Sequence, residues 1–247
     1  MNALALPTKR DEAWRYSDLE ALGRVWPVPV PDKIIVAAGE GLRVNLIQDA
    51  AADQVAVRDF TIEVGVGASF AMQLVNAGGQ LGRVALDVTL YEGASFELDA
   101  ALIGGAAQTV ELVTTVRHFE ANATSRQTVR GIAGAKSTIS YLGKVAVSRD
   151  AQKTDAVQSV KSMLLDRSAT VNAKPELEIF ADDVKCAHGA TVGELDEQAL
   201  FYLASRGLPP AEAKSLLLRA FVSGLFDGSD NEAAFTAAID AALGRLL

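Results

Sequence analysis

GASFAMQLVNAGGQLGRVALDVTLYEGASFELDAAL, Gly67–Leu102, decides the fold. In its middle Val84, Leu86, Val88 and Leu90 alternate with polar or small residues, and Phe96, Leu98, Ala100 and Leu102 do so after it. Alternation of this kind puts one set of side chains on one face of a strand, which a half-buried β-strand requires. The tetrapeptide GASF stands at Gly67–Phe70 and again at Gly93–Phe96, each time leading into such a strand, with GAKST at Gly134–Thr138 and RSAT at Arg167–Thr170 as weaker echoes. A small-residue corner followed by an inward-facing apolar strand, repeated along the chain, suits a stacked solenoid.

Outward from this stretch the period of two runs from about Val55 to Ile179. It includes Phe60, Ile62, Val64 and Val66, then Val110, Leu112 and Val116, and later Ile139 with Tyr141, Val145 with Val147, and Leu177 with Ile179. Ala156–Leu165 suits helix or strand and is read as strand. A β-sandwich is the alternative architecture, but it would use Asn-Gly or Asp-Gly hairpin turns. The one Asp-Gly, at Asp227, lies outside the strand zone, so a parallel β-helix is favoured.

The flanks read as helical. Pro7 to about Leu22 gathers Trp14, Leu19 and Leu22 on one face, with Lys9, Arg10, Asp11, Glu12 and Arg15 around the rest. Prolines at 27, 29 and 31 then enforce an extended linker. After Gly193 a helix is expected from about Asp196 to Arg206, with Leu200 and Leu203 inward and Gly207 as its stop. Pro209 and Pro210 open a second, with a stripe of Leu216, Leu217, Ala220, Phe221 and Leu225 in which Phe221 and Leu225 belong to the core. Ser229 and Glu232 have capping-box spacing before a third, striped by Phe235, Ile239, Ala242, Leu243 and Leu246. The chain therefore divides into 1–31 (helix and Pro-rich linker), 32–193 (parallel β-helix) and 194–247 (helical unit).

Composition narrows the function classes. Of the 247 residues 49% are apolar and 22% charged, which excludes intrinsic disorder. A net charge of −8 argues against nucleic acid and against an anionic membrane surface as partners. Glu194–Leu247 holds eight acidic and four basic residues, so half of that net charge sits in the helical unit. No apolar run reaches the 18 or so residues of a membrane span, and MNALALPTKR does not read as a signal peptide. With Cys186 alone no internal disulfide can form, and a cytoplasmic location is expected.

Familiar catalytic motifs are missing. RGIAGAKST, Arg130–Thr138, lacks the Gly-Lys pair of a phosphate loop, no third glycine follows Gly65-Val66-Gly67, and no G-x-S-x-G elbow occurs. His118, alone in a strand, reads as a surface or satisfied polar residue. The chemically unusual stretch is DDVKCAHGATVG, Asp182–Gly193, at the passage from strands to helices. On an extended strand Cys186 and His188 point to one face. Thiolate and imidazole are ligands for a borderline-soft metal, but two are too few for a complete site, so an ion or cluster would be shared with another chain. The plainer reading makes Cys186 a small buried residue and His188 a corner hydrogen-bonder. Asp182 and Asp183 admit one enzymatic reading, a β-helix polysaccharide hydrolase or lyase with paired carboxylates. Against it stand the missing signal peptide and the scarcity of aromatics in the strand zone, and a turn fixed by side-chain hydrogen bonds accounts for both aspartates.

At this stretch the sequence resembles the SufD family, the cysteine-poor partner of SufB in the Suf iron–sulfur cluster assembly machine. PELEIFADDVKCAHGATVGELDEQALFYLASRGLPPAEAKSLLLRAF, Pro175–Phe221, is similar to the family's C-terminal signature almost throughout, Asp155–Ala173 is similar upstream, and PTKRDEAWRYSDLEAL resembles the family's N-terminal P-x-x-x-x-E-x-W-[RK]-Y-[ST]-x-L pattern. SufB itself carries several cysteines and a His–Glu pair at the corresponding corner, whereas here Gly189 follows His188. The resemblance implies a right-handed parallel β-helix, a non-enzymatic scaffold, a heterodimer with a SufB-like chain, and a C-terminal helical unit that docks a SufC-like ABC ATPase. A homodimer in isolation is the further option. It also implies a nascent iron–sulfur cluster at the interface of the two β-helices, with His188 as the ligand and Cys186 in a weaker role, and no cofactor held stably by this chain alone. Arg206 and Lys214 are candidate ATPase contacts. The chain is short for the family, and the region between the entry helix and the β-helix is reduced.

Overall fold

Val, Leu and Phe on alternate positions seek a common interior, and the chain provides it by winding. In the computed structural model, which describes residues 5–247, the twelve strands fall alternately into two six-stranded sheets. Sheet A holds β1 (Asp32–Val36), β3 (Val55–Val64), β5 (Leu81–Leu90), β7 (Thr109–His118), β9 (Thr138–Val147) and β11 (Thr170–Ile179), in that order. Sheet B holds β2 (Gly41–Gln48), β4 (Ser69–Asn76), β6 (Ser95–Gly104), β8 (Thr124–Ala133), β10 (Asp155–Leu164) and β12 (Lys185–Gly193). Every pairing is parallel, so each turn of the chain adds one strand to each sheet, and the protein is a parallel β-helix of about six coils.

The register makes ladders of equivalent residues. Phe70, Phe96, Ser125, Ala156 and Cys186 form one inward row of sheet B, and Met72, Leu98, Gln127, Gln158 and His188 form the next. Val84, Leu112, Tyr141 and Ala173 form an inward row of sheet A. The Phe70 and Phe96 rings stack with centroids 6.1 Å apart. The repeated GASF is the corner before sheet B: Gly67 and Gly93 both take φ of 63°, a left-handed conformation that glycine adopts without a Cβ clash. Their N–H groups donate to Glu92 O (2.8 Å) and Ala121 O (3.0 Å) of the next coil. The two weaker echoes belong elsewhere. GAKST and RSAT precede β9 and β11 and so form the opposite corner, before sheet A.

The strand zone is wider than its alternation suggested, beginning at Asp32 and ending at Gly193. In the first and last coils one side of each strand is open, so the inside–outside contrast that produces alternation is weak there. Val66, counted with the strand residues, is an exposed corner residue. Ala156–Leu165 is strand through Leu164, as read.

The N-terminal helix expected from Pro7 to Leu22 is reduced to a 3₁₀ turn, Glu12–Trp14, and a short α1, Leu19–Gly23, capped by Asp18 Oδ1 accepting from Ala21 N–H at 2.9 Å. Contacts with the outer face of sheet A outweigh helix propensity here. Trp14 lies 3.7 Å below the Arg83 guanidinium, Arg83 Nη1 donates to Ala13 O (2.8 Å), and Ser17 Oγ donates to Glu111 Oε2 (2.7 Å). Arg83 and Glu111 form a buried ion pair at 3.0 Å. Lys174 of β11 pairs with Glu12, so this arm reaches from β5 across to β11.

Helices α2 (Glu197–Ser205), α3 (Pro210–Ser223) and α4 (Glu232–Gly244) follow β12. Gly207 at φ 89° ends the first of these, as expected, and Asp196 caps its start. Leu200 and Leu203 are only half-buried. The buried face of α3 is turned from the expected stripe: Ala213, Leu218 and Val222 are inside, Leu216 and Ala220 outside, and Phe221 and Leu225 at the rim. The face is chosen by the outer surface of sheet B, where Val75, Ala101, Ile103 and Ile132 receive Leu218, Val222, Phe226, Phe235, Ile239, Ala242 and Leu243. The capping box does not form. Ser229 Oγ accepts from Asn231 N–H (3.2 Å) and donates to Gln73 Oε1 on sheet B (2.6 Å), while Glu232 Oε2 accepts from Gly228 N–H (3.0 Å).

Candidate functional site

Cys186 and His188 stand on β12, in register with Ala156 and Gln158 of β10, and the alternation that buries those two residues directs both site residues toward the interior of the last coil. That interior is open. Among the described residues no strand pairs with the outer edge of β11 or β12. Positions that are sealed one coil earlier are therefore accessible here: Cys186 is half-buried and His188 exposed, with Val171, Ala173 and Leu177 of β11 also half-buried.

Burial pushes the Cys186 thiol above its ordinary range, against a backbone hydrogen bond involving Ala156, and the charge of Asp155 adds to the rise. The thiol is protonated at neutral pH, a poor nucleophile that becomes a ligand only when a metal displaces its proton. Among the described residues no three His, Cys, Asp or Glu side chains gather to hold a metal ion. The described residues offer the pair and no more.

The aspartates before β12 do corner work. Asp183 forms an ion pair with Lys153, its carbonyl accepts from Lys153 N–H at 2.6 Å, and its own N–H donates to Gln152 Oε1 at 2.9 Å. Asp182 is exposed beside it. His118 is fully buried, not a surface residue; its Nε2 lies 2.9 Å from Ser125 Oγ, and burial lowers its pKa to about 4, against a backbone hydrogen bond involving Ala123. Of the two candidate ATPase contacts, Arg206 is exposed with its guanidinium 5.2 Å from the Tyr202 ring centre, and Lys214 is half-buried. Phe201 and Tyr202 on α2 are 77% and 56% exposed, a pair of uncovered aromatics that the leucine stripes had masked.

One polar feature of the interior was not anticipated. Thr114 Oγ1 donates to Gln127 Oε1 (2.7 Å), Tyr141 OH donates to the same oxygen (3.1 Å), and Gln158 Nε2 donates to Tyr141 OH (3.0 Å). All four side chains are buried, and burial raises the Tyr141 hydroxyl to about 12. Glutamine at the inward position of two strands, between Ser125 and Val129 and between Ala156 and Val160, was the sequence signal.

Comparison with known proteins adds the following. The family model described as SUF system FeS cluster assembly, SufBD core domain, matches residues 33–221. An iron-sulfur cluster assembly SufBD family protein of Synechocystis is 33% identical over 192 residues, 76% of this chain and 42% of its own length. Iron-sulfur cluster assembly protein SufD of Escherichia coli is 38% identical over 119 residues, 48% of this chain and 28% of its own. Protein ABCI7, chloroplastic, of Arabidopsis thaliana is 31% identical over 216 residues, 85% and 44%. The chain spans less than half the length of these curated relatives.

Proposed function

The chain belongs to the SufBD family of iron–sulfur cluster assembly proteins, and from that premise we propose that it is a non-catalytic, cytosolic scaffold subunit of a SufBCD-type complex. Its three segments divide the work. The β-helix of 32–193 pairs through its last coil with a SufB-like chain, the helical unit of 194–247 docks a SufC-like ATPase, and the arm of 1–31 fastens the outside of the solenoid. The nascent cluster is cargo rather than a resident group. His188 is its ligand from this side, Cys186 contributes less, and the partner supplies the remainder.

The observation that carries this reading is the open last coil, where the row that buries Gln158 ends in an exposed histidine. Two unpaired parallel edges are a template for another chain, and such edges in stable proteins are covered or paired. Exposed Phe201 and Tyr202, with Arg206 and Lys214 nearby in sequence, support docking on the helical unit, since aromatic and Arg side chains are enriched where proteins meet. No phosphate loop is needed in a subunit whose partner hydrolyses nucleotide. A rigid solenoid joined to a moving ATPase acts as a lever, so ATPase dimerisation can open the interface to iron or sulfide.

Co-expression of the tagged chain with the SufB-like and SufC-like proteins of its own organism tests the reading, with the eluted species weighed by light scattering. One complex containing all three is expected; elution of this chain alone while the other two associate overturns the scaffold role. Within the complex, His188→Ala is expected to leave assembly of the subunits intact and abolish cluster formation in cells, with Cys186→Ser milder. Wild-type cluster formation in His188→Ala removes the ligand assignment.

A further inference from the structure

The buried polar thread of the interior runs toward the cluster-facing histidine and stops one residue short of it. Gln158 is 1% exposed, its Nε2 is committed to Tyr141 OH, and its Oε1, equally buried, has no hydrogen-bond partner. Its register neighbour on β12 is His188. In-register residues on adjacent parallel strands lie about 4.8 Å apart, and both side chains are on the inward face, so an imidazole N–H comes within reach of that oxygen by rotation about the His188 side-chain bonds. A buried amide oxygen left unpaired has a standing incentive to accept such a bond.

Tyr141 fixes which end of the amide faces it and leaves the oxygen on the other side; Nε2 of Gln127, the register neighbour on β8, is likewise buried and without a partner. Tyr141 OH donates to Gln127 Oε1, which leaves the phenol oxygen to accept and requires the nitrogen of Gln158 to point at it. Space for this arrangement is reserved by a glycine. A Cβ at Gly143 would stand 2.1 Å from Tyr141 OH and 2.6 Å from Gln158 Nε2, so no other residue fits between them.

We infer that Gln158, oriented by Tyr141, is a positioning residue for His188: its Oε1 accepts one ring N–H, fixing the tautomer and aiming the other nitrogen's lone pair at the open end of the coil. Metal-ligating histidines generally donate their second nitrogen to such an acceptor, and its loss typically weakens the metal site 10–100-fold. The inference rests on the cluster-facing role given to His188, but its test does not.

With only two histidines in the chain, one of them sealed inside, ring signals are readily assigned. The full chain, selectively labelled on histidine, is studied by NMR with its imidazoles neutral, reading ring ¹⁵N shifts and ring ¹³C relaxation. The wild-type protein is expected to show one dominant tautomer and a restrained ring, its order parameter near the rigid value of about 0.85. Gln158→Leu should give mixed tautomers and an order parameter below about 0.6, and Tyr141→Phe should loosen it partway. Where Gln158→Leu fails to fold, Tyr141→Phe carries the comparison. Equal ring mobility and tautomer populations in the wild type and the folded variants overturn the inference. A free ring in a chain that still joins the three-protein complex defeats the positioning role alone; a restrained ring in a chain that joins no complex defeats the scaffold reading alone.

Discussion

The middle coils and the last coil are built to one plan and meet opposite surroundings. Phe96 and Cys186 occupy the same inward row, and so do Gln127 and His188. In the middle, a coil on either side seals the row, and Phe96 packs against Phe70. At β11 and β12 the row meets open space. The difference teaches that exposure of Cys186 and His188 follows from their place in the stack and not from a change of local structure, because β12 keeps the pairing of its predecessors over its full length. Among the described residues no strand completes the last layer.

The largest contrast is expected on truncating one row in its middle and at its open end. Phe96→Ala should cost about 3–5 kcal/mol of stability in urea denaturation, the usual range for a buried aromatic that leaves a cavity. Cys186→Ala, in the half-filled last coil, should cost below about 1 kcal/mol. Equal costs would mean that the last coil is as tightly packed as the middle, and the argument from openness would fall.

The two histidines sharpen it next. His118 is buried and neutral, its pKa lowered from 6.5 to about 4 chiefly by burial. Between those values the unfolded chain binds more protons than the folded one, so stability falls as pH drops through that window and is fully retained above it. The loss attributable to His118 reaches about 3 kcal/mol at the lower end. His118→Leu should remove that part of the slope when urea midpoints are followed across the window, whereas His188→Ala should leave it in place. A slope unchanged in His118→Leu would contradict the sealed environment of His118.

Much of this was legible in the sequence where the surroundings are two-sided. Alternation in β3 to β9 reports an interior that each strand faces, and the GASF corners report a left-handed residue the backbone needs at Gly67 and Gly93. Where a strand has one open side, as in β1, β2 and β12, side-chain choice is relaxed and the pattern fades. The N-terminal arm was misread because its backbone is fixed by Arg83 and Glu111, more than sixty residues away, which no local pattern reveals. The face of α3 was set by the outer surface of sheet B in the same way, and Ser229 is tied to Gln73 across that contact. Of the site, the shared face of Cys186 and His188 was readable from their spacing. The thread through Gln127, Tyr141 and Gln158 was not, because it joins strands of different sheets that come together only once the coils are stacked.

The central claim is that the open last coil is the surface a SufB-like partner completes. Hydrogen–deuterium exchange on the full chain, alone and bound to that partner, tests it most directly. Exchange is expected to slow in residues 170–193, where edge amides of β11 and β12 gain a covering chain, with Phe201 and Tyr202 on α2 affected only when the ATPase is added. Slowed exchange elsewhere in the solenoid, with 170–193 unchanged on binding, would contradict it.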